Sequence, residues 1–170
     1  MVVSVASPDA QAFRKQLIQP ALLSAYFLAK LPLAAMAGLK ITRLDGDVCE
    51  VTVPYGWRTQ NPFRSIYFAA LSMAAELSCA GLALMAGRGA GKVEPVSVLP
   101  VGLEGKFEKK ATALTTFVCS DGPRLFQAVN EALRTGEGVT TTTDTIGRMA
   151  DGTIVSTFKF TWSFKKKSAH

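Results

Sequence analysis

A long apolar run with one acid in it limits what this chain can become. Residues 61–87 read NPFRSIYFAALSMAAELSCAGLALMAG, an Asn-Pro start followed by a helix-length segment whose one acidic residue is Glu76. A helix that is apolar on every face must be covered on every face, so the rest of the chain has to wrap it. A carboxylate inside such a helix costs on the order of several kcal/mol unless it is paired, hydrogen-bonded or protonated. Two readings follow. Either Glu76 is neutralised by an Arg or Lys from a neighbouring element or carries a proton, or it is a working acid. Its helical neighbours Ala69, Ser72, Met73, Cys79, Ala80 and Ala83 are mostly small, which leaves room for a ligand or a second backbone.

The flanking sequence supplies the wrapping. Ser7-Pro8 opens a helix over 9–19 with Phe13, Leu17 and Ile18 on one face, Pro20 ends it, and an apolar piece over 21–31 continues past Pro32 to Gly38. From residue 39 the period becomes two. Strands over 39–44 and 48–53 join through Asp45-Gly46 as a hairpin. A loop with Trp57, Arg58, Gln60 and Asn61-Pro62 leads into the long helix, expected to start near Phe63 and to stop at Gly87, Gly89 and Gly91. The GRGAG run follows a helix instead of preceding one, so it reads as an exit loop and not as a phosphate cradle. Strands are predicted over 93–101, 103–110 and 111–120, then a helix from Asp121-Gly122-Pro123 with Leu125, Phe126, Val129 and Leu133 inward. The last hairpin, 139–149 and 153–164, alternates strictly: Ile154, Ser156, Phe158, Phe160, Trp162 and Phe164 face one way, Val155, Thr157, Lys159, Thr161 and Ser163 the other. The expected architecture is one α+β domain over 1–170. It comprises a helical lead-in (1–37), a core (38–164) of antiparallel sheet around a long central helix with one inserted helix, and a solvated basic tail (165–170).

Composition removes several chemistries. The single histidine is His170, so a histidine-based triad, a histidine-liganded zinc and a histidine general base are nearly excluded. Cys49, Cys79 and Cys119 are odd in number and lie in apolar surroundings, which reads as reduced core thiols and a cytoplasmic setting. Asp9, Arg14 and Lys15 interrupt any signal-peptide pattern, and Glu76 with the amphipathic strands argues against membrane insertion. A net charge of +6 suits anionic partners without choosing among them, and nucleic acid has nothing further in its favour.

The helix entrance Asn61-Pro62-Phe63-x-Ser65-Ile66-Tyr67-Phe68 resembles that of small bacterial thioesterase-like proteins of the hotdog superfamily, over residues 38–164. The resemblance implies the hotdog fold and hydrolysis of acyl-coenzyme A thioesters, with coenzyme A entering as part of the substrate and no other cofactor. In relatives of the phenylacetate-pathway type, an Asn opens the loop, a Gly follows three residues later, a His-Gly-Gly three after that, and an acid lies fifteen residues beyond the Asn. Asn61 matches the Asn and Glu76 the acid, whereas Arg64 replaces the first Gly, Tyr67 the His, and Phe68-Ala69 the Gly-Gly. A serine that assists in some relatives falls at Pro100 and is not carried over; Ser97 is nearby. The implied roles are Glu76 as base or nucleophile, Asn61 orienting water or carbonyl, the amide of Phe68 beside Tyr67 holding the thioester oxygen, and Arg64 and Arg58 meeting coenzyme A phosphates. As alternatives, Asn61 reads as a turn residue, Tyr67 as core, and both arginines as solvated surface.

Spacing adds a constraint of its own. Phe68 and Glu76 are eight residues apart, about 12 Å along a helix, whereas a reacting carbonyl must sit roughly 3 Å from both donor and base. Two antiparallel copies of the helix meet that requirement, so a homodimer is expected, with a tetramer of paired dimers as the alternative. The competing expectation is an acyl- or lipid-binding hotdog protein without catalysis.

Overall fold

The computed structural model describes residues 2–167; His170 and the tail beyond 167 lie outside them. Three short helices open the chain, α1 (Pro8–Ile18), α2 (Pro20–Lys30) and α3 (Pro32–Ala37), each begun by a proline in its first turn. Proline is tolerated there because the missing N–H has no intrahelical acceptor. Gly38, at φ 73°, caps α3 in the left-handed conformation. The hairpin β1 (Lys40–Leu44) and β2 (Cys49–Val53) follows, its turn tied by Asp45 Oδ1 accepting from Val48 N at 2.9 Å.

The central helix α4 (Phe68–Gly89) begins five residues later than the sequence suggests and runs through two of the glycines expected to stop it. Both shifts have local causes. Asn61 folds residues 61–66 into a hydrogen-bonded loop, described below. At Gly87 a Cβ would stand 2.5 Å from Val98 Cγ2, and at Gly89 2.6 Å from Val3 Cγ1, so these glycines mark close helix contacts instead of a terminus. Gly91, at φ 72°, provides the break.

The remaining elements are β3 (Val96–Phe107), β4 (Thr115–Cys119), α5 (Gly122–Thr135), β5 (Val139–Met149) and β6 (Ile154–Lys166). All six strands form one antiparallel sheet in the order β1-β2-β4-β5-β6-β3. Where two strands were expected across 93–110, one long strand runs with an irregularity between Pro100 and Gly102. An edge strand tolerates a proline that a central strand would not. The strand expected over 111–120 is shorter, and β6 extends through Lys165 and Lys166, the latter ion-paired to Glu94, so the basic run is partly strand.

The sheet's inner face carries Phe158, Phe160, Trp162 and Phe164, each at most 3% exposed, against α4. Burying such a ring contributes about 2–3 kcal/mol. Polar side-chain atoms in this core are matched except the Ser156 hydroxyl: Ser78 Oγ meets Thr145 Oγ1 at 2.8 Å, and Trp162 Nε1 donates to Thr143 Oγ1 at 3.1 Å. Cys49, Cys79 and Cys119 are free and buried, and burial raises the thiol pKa of Cys49 and Cys79. By length and composition α4 could cross a membrane, but 67% of its most apolar window is buried inside the fold. A sheet curled around one central helix, with a helical lead-in and one inserted helix, is the hotdog arrangement that the sequence implies.

Candidate functional site

The covering of α4 is incomplete along one stripe. Phe68 is exposed and Ala69, Ser72, Met73 and Glu76 are half-buried, while most of the helix is closed off. Positions 68, 72 and 76, with 69 and 73, share one helical face. The inner face of edge strand β3 lies alongside: Leu103 is opposite Phe160 and Phe107 opposite Ser156, so both point inward, yet they are 58% and 50% exposed. The Phe68 and Phe107 rings meet edge-on at 6.4 Å. An apolar groove therefore opens between the α4 stripe and β3. Ser156, whose hydroxyl is buried without a hydrogen-bond partner, is paired across the sheet with Phe107. Its place within a strict alternation gave no sequence signal of this.

Glu76 stands on that stripe. Among the described residues its carboxylate has no hydrogen bond and no ion pair, and burial alone pushes its pKa up from 4.5 to about 7. The shift predicts a stability effect with a definite sign. A folded-state pKa above the unfolded one means that the fold favours the protonated acid: that contribution is complete below about pH 4.5 and is lost as the pH rises through about 7. Glu76→Gln, uncharged throughout, is thus expected to raise the thermal midpoint at pH 8 by the equivalent of up to about 3 kcal/mol, with the gain shrinking toward pH 5. Thermal unfolding at both pH values checks this; a midpoint that falls in the variant at pH 8 would reveal a paired structural carboxylate.

Two helical turns away, the entrance loop is built around Asn61. Its Oδ1 accepts from Phe63 N at 2.9 Å and Ser65 N at 3.2 Å, and its Nδ2 donates to Ser65 Oγ at 3.1 Å and Ile66 O at 3.4 Å. The amide is spent on its own loop, which is what an Asx turn does. The loop is pinned at both sides, with Tyr67 N donating to Thr59 O at 2.6 Å and Ile66 N to Ala111 O at 2.8 Å. Thr59, which the sequence reading did not single out, is buried and donates from its hydroxyl to Pro54 O at 2.6 Å. Arg64 occupies the left-handed region at φ 57°, the one non-glycine among the described residues to do so. That conformation accounts for a glycine at this place in the resembling proteins.

Tyr67 precedes α4 in an extended conformation, φ −63° and ψ 137°, with no side-chain cap and its ring 4.8 Å from that of Phe68. The Phe68 N–H, first in the helix, has no acceptor among the described residues. It is a free donor with the helix dipole behind it. Asn61, Phe63, Phe68, Leu71, Phe107 and Lys109 line part of a cleft of about 290 Å³ at this helix end. Arg58 is not brought there: it lines a second cleft of about 340 Å³ with Ala37, Pro54 and Trp57. Glu76 and the free amide are thus on one helix, two turns apart, joined by the open stripe.

The family described as a domain of unknown function, DUF4442, matches residues 19–163. No curated protein matches the chain. A Pseudomonas aeruginosa protein of unknown function, described as a probable thioesterase, superposes with a TM-score of 0.73 at 17% identity, covering 89% of this chain and 99% of that one. A variant of another P. aeruginosa protein, named a thioesterase, gives 0.65 at 13% identity over 97% and 99% of the two chains. A thioesterase from Haemophilus influenzae gives 0.63 at 15% identity over 86% and 91%. At such identities the likeness establishes the fold. With most of its length matched, the chain belongs to the DUF4442 family and carries the hotdog fold of these thioesterase-named neighbours.

Proposed function

We propose that the protein is a cytoplasmic acyl-CoA thioesterase working as a homodimer, with Glu76 of one protomer and the Phe68 amide of the other at each site. The observation that carries this reading is the unpaired, half-buried Glu76 carboxylate with its pKa raised to about 7, the poise of a general base at neutral pH. The edge strand β3 and the open α4 stripe support the dimer. A twelve-residue edge strand with Leu99, Val101, Leu103 and Phe107 half exposed presents unpaired backbone groups beside apolar side chains, which a second copy would cover. The three free thiols suit a reducing compartment.

In this mechanism ionised Glu76 takes a proton from water as the hydroxide oxygen adds to the thioester carbonyl carbon. Negative charge develops on the carbonyl oxygen, which the Phe68 N–H of the facing protomer receives. Collapse breaks the carbon–sulfur bond, and the departing thiolate recovers the proton from Glu76, giving a carboxylic acid and free coenzyme A. Asn61 holds the loop that aims the Phe68 amide and acts by positioning. The arrangement is that of the phenylacetate-pathway type with the His-Gly-Gly entrance replaced.

The replacement favours a second reading. Phe68, 55% exposed, sets an aromatic ring beside the free amide, and an acyl-binding protein without turnover would tolerate that crowding. A panel of short, medium, long and aromatic acyl-CoA esters, followed by thiol release, decides between them. Turnover of at least one class is expected; none, together with a co-purified acyl ligand in native mass spectrometry, selects the binding protein.

A further inference from the structure

We infer that the basic rim of the cleft at the α4 entrance, Lys109 and Lys110 beside the exposed Phe63 ring, is a subsite for the phosphorylated adenosine portion of coenzyme A. The inference rests on reading this cleft as the thioester site, and it names the carrier from which the acyl group is taken: coenzyme A, and not an acidic acyl carrier protein.

The cleft joins two kinds of surface. Its lining includes apolar Ile66, Leu71 and Phe107, and its margin carries Lys109 and Lys110. Both lysines lie past the end of β3, outside strand alternation, so consecutive side chains are not forced to opposite faces. Their backbone is held: Glu108 N and Lys109 N both donate to Val155 O, at 2.9 and 3.3 Å. Lys110 Nζ reaches the Phe63 carbonyl at 3.4 Å, placing an ammonium group next to that residue. Phe63 is 72% exposed, an aromatic face that pairs with no other ring among the described residues.

Charge pairing narrows the partner. Lys106 is engaged by Glu108 at 3.0 Å, whereas Lys109 and Lys110 make no ion pair among the described residues, nor does Arg64 on the adjoining loop. Two ammonium groups at one cleft margin, neither in an ion pair among the described residues, are a phosphate-sized target. A base has a π-face to lay on Phe63, as single-stranded nucleotides do on aromatic platforms. An acidic protein surface would instead need cations spread over a wide face. Glu108, the one acid lining the cleft, is held by Lys106, so the two lysines set the sign of its margin.

Titration calorimetry with coenzyme A and with adenosine 3′,5′-bisphosphate tests this on the wild type, on Lys109→Glu/Lys110→Glu and on Phe63→Ala, each checked for an unchanged thermal midpoint. All three side chains are exposed, so the variants are expected to fold. Coenzyme A affinity should fall about 100-fold in the double variant and about tenfold in Phe63→Ala, with the bisphosphate losing affinity in parallel. The preference for an acyl-CoA over the matching acyl-pantetheine should collapse in the double variant. Unchanged coenzyme A affinity overturns the inference, as does a preference for an acyl-carrier-protein thioester that the lysine reversal removes. Coenzyme A binding lost with the lysines, in a protein that hydrolyses neither ester, would uphold the subsite and defeat the thioesterase reading. Hydrolysis indifferent to the lysines would do the reverse.

Discussion

Replacing Glu76 with glutamine is expected to lower kcat for acyl-CoA hydrolysis by about 10²- to 10⁴-fold while leaving the dimer assembled. Glutamine keeps the volume and shape of the side chain on the open stripe of α4, so packing there is preserved. What it loses is the ability to take a proton. No other described residue on that stripe can replace it, because Phe68, Ala69, Ser72 and Met73 carry no base. The wild-type rate should climb with pH through about 7 and level off above, since only the ionised carboxylate is active and burial holds its pKa near that value. The same holds if Glu76 attacks the carbonyl directly, because that role also needs the anion. Thiol-release kinetics across pH 5–9 and light scattering measure the two halves of the result. Full activity in a dimeric Glu76→Gln protein would end the assignment. Combined with the higher midpoint expected for this variant at pH 8, the result would show an acid that costs stability and serves chemistry.

Much of the fold was legible because its signals are redundant. The β6 alternation, the turn at Asp151-Gly152 and the apolar length of α4 each point to one arrangement around a shared core, and the sheet places Phe158, Phe160 and Trp162 where the alternation puts them; it departs only at the start of β6, where Val155 is buried and Ile154 half-buried beside the irregularity opposite Gly147 and Arg148. The errors fell where one residue type serves two purposes. Glycines 87 and 89 look like a helix stop yet exist so that Val98 and Val3 can approach the backbone. Gly102 looks like a break between two strands yet lies within one edge strand, which absorbs Pro100 with an irregularity. Phe63 looks like the first helical turn, but the Asx turn at Asn61 holds it outside. At the site, Glu76 could be found because a lone charge in an apolar helix is anomalous. The separation of Arg58 from Asn61 and Phe68 could not, since it depends on how the loop over 54–66 folds back through Thr59 and Tyr67.

Phe68→Pro is expected to remove about 10²- to 10³-fold in kcat, the loss associated with one oxyanion donor. Proline fits this position unusually well. Phe68 is the first residue of α4, where a proline's missing N–H breaks no helical bond. Tyr67 already holds the extended φ −63°, ψ 137° that a residue before proline requires. The substitution therefore deletes the free donor and leaves the helix. Phe68→Ala, which trims the same ring but keeps the N–H, is the control, and the ratio of the two rates isolates the amide. The pair of defects then tests whether sites are shared. If each site takes its acid from one protomer and its amide from the other, a heterodimer of Glu76→Gln and Phe68→Pro chains holds one doubly damaged site and one intact site. Unfolding and refolding an equal mixture should restore about a quarter of wild-type activity, since half of randomly paired dimers are mixed and each has one of two sites intact. A site confined to one chain restores nothing. Eight residues on a rigid helix keep Glu76 and the Phe68 amide about 12 Å apart, so recovery is the outcome that the geometry demands of a working enzyme.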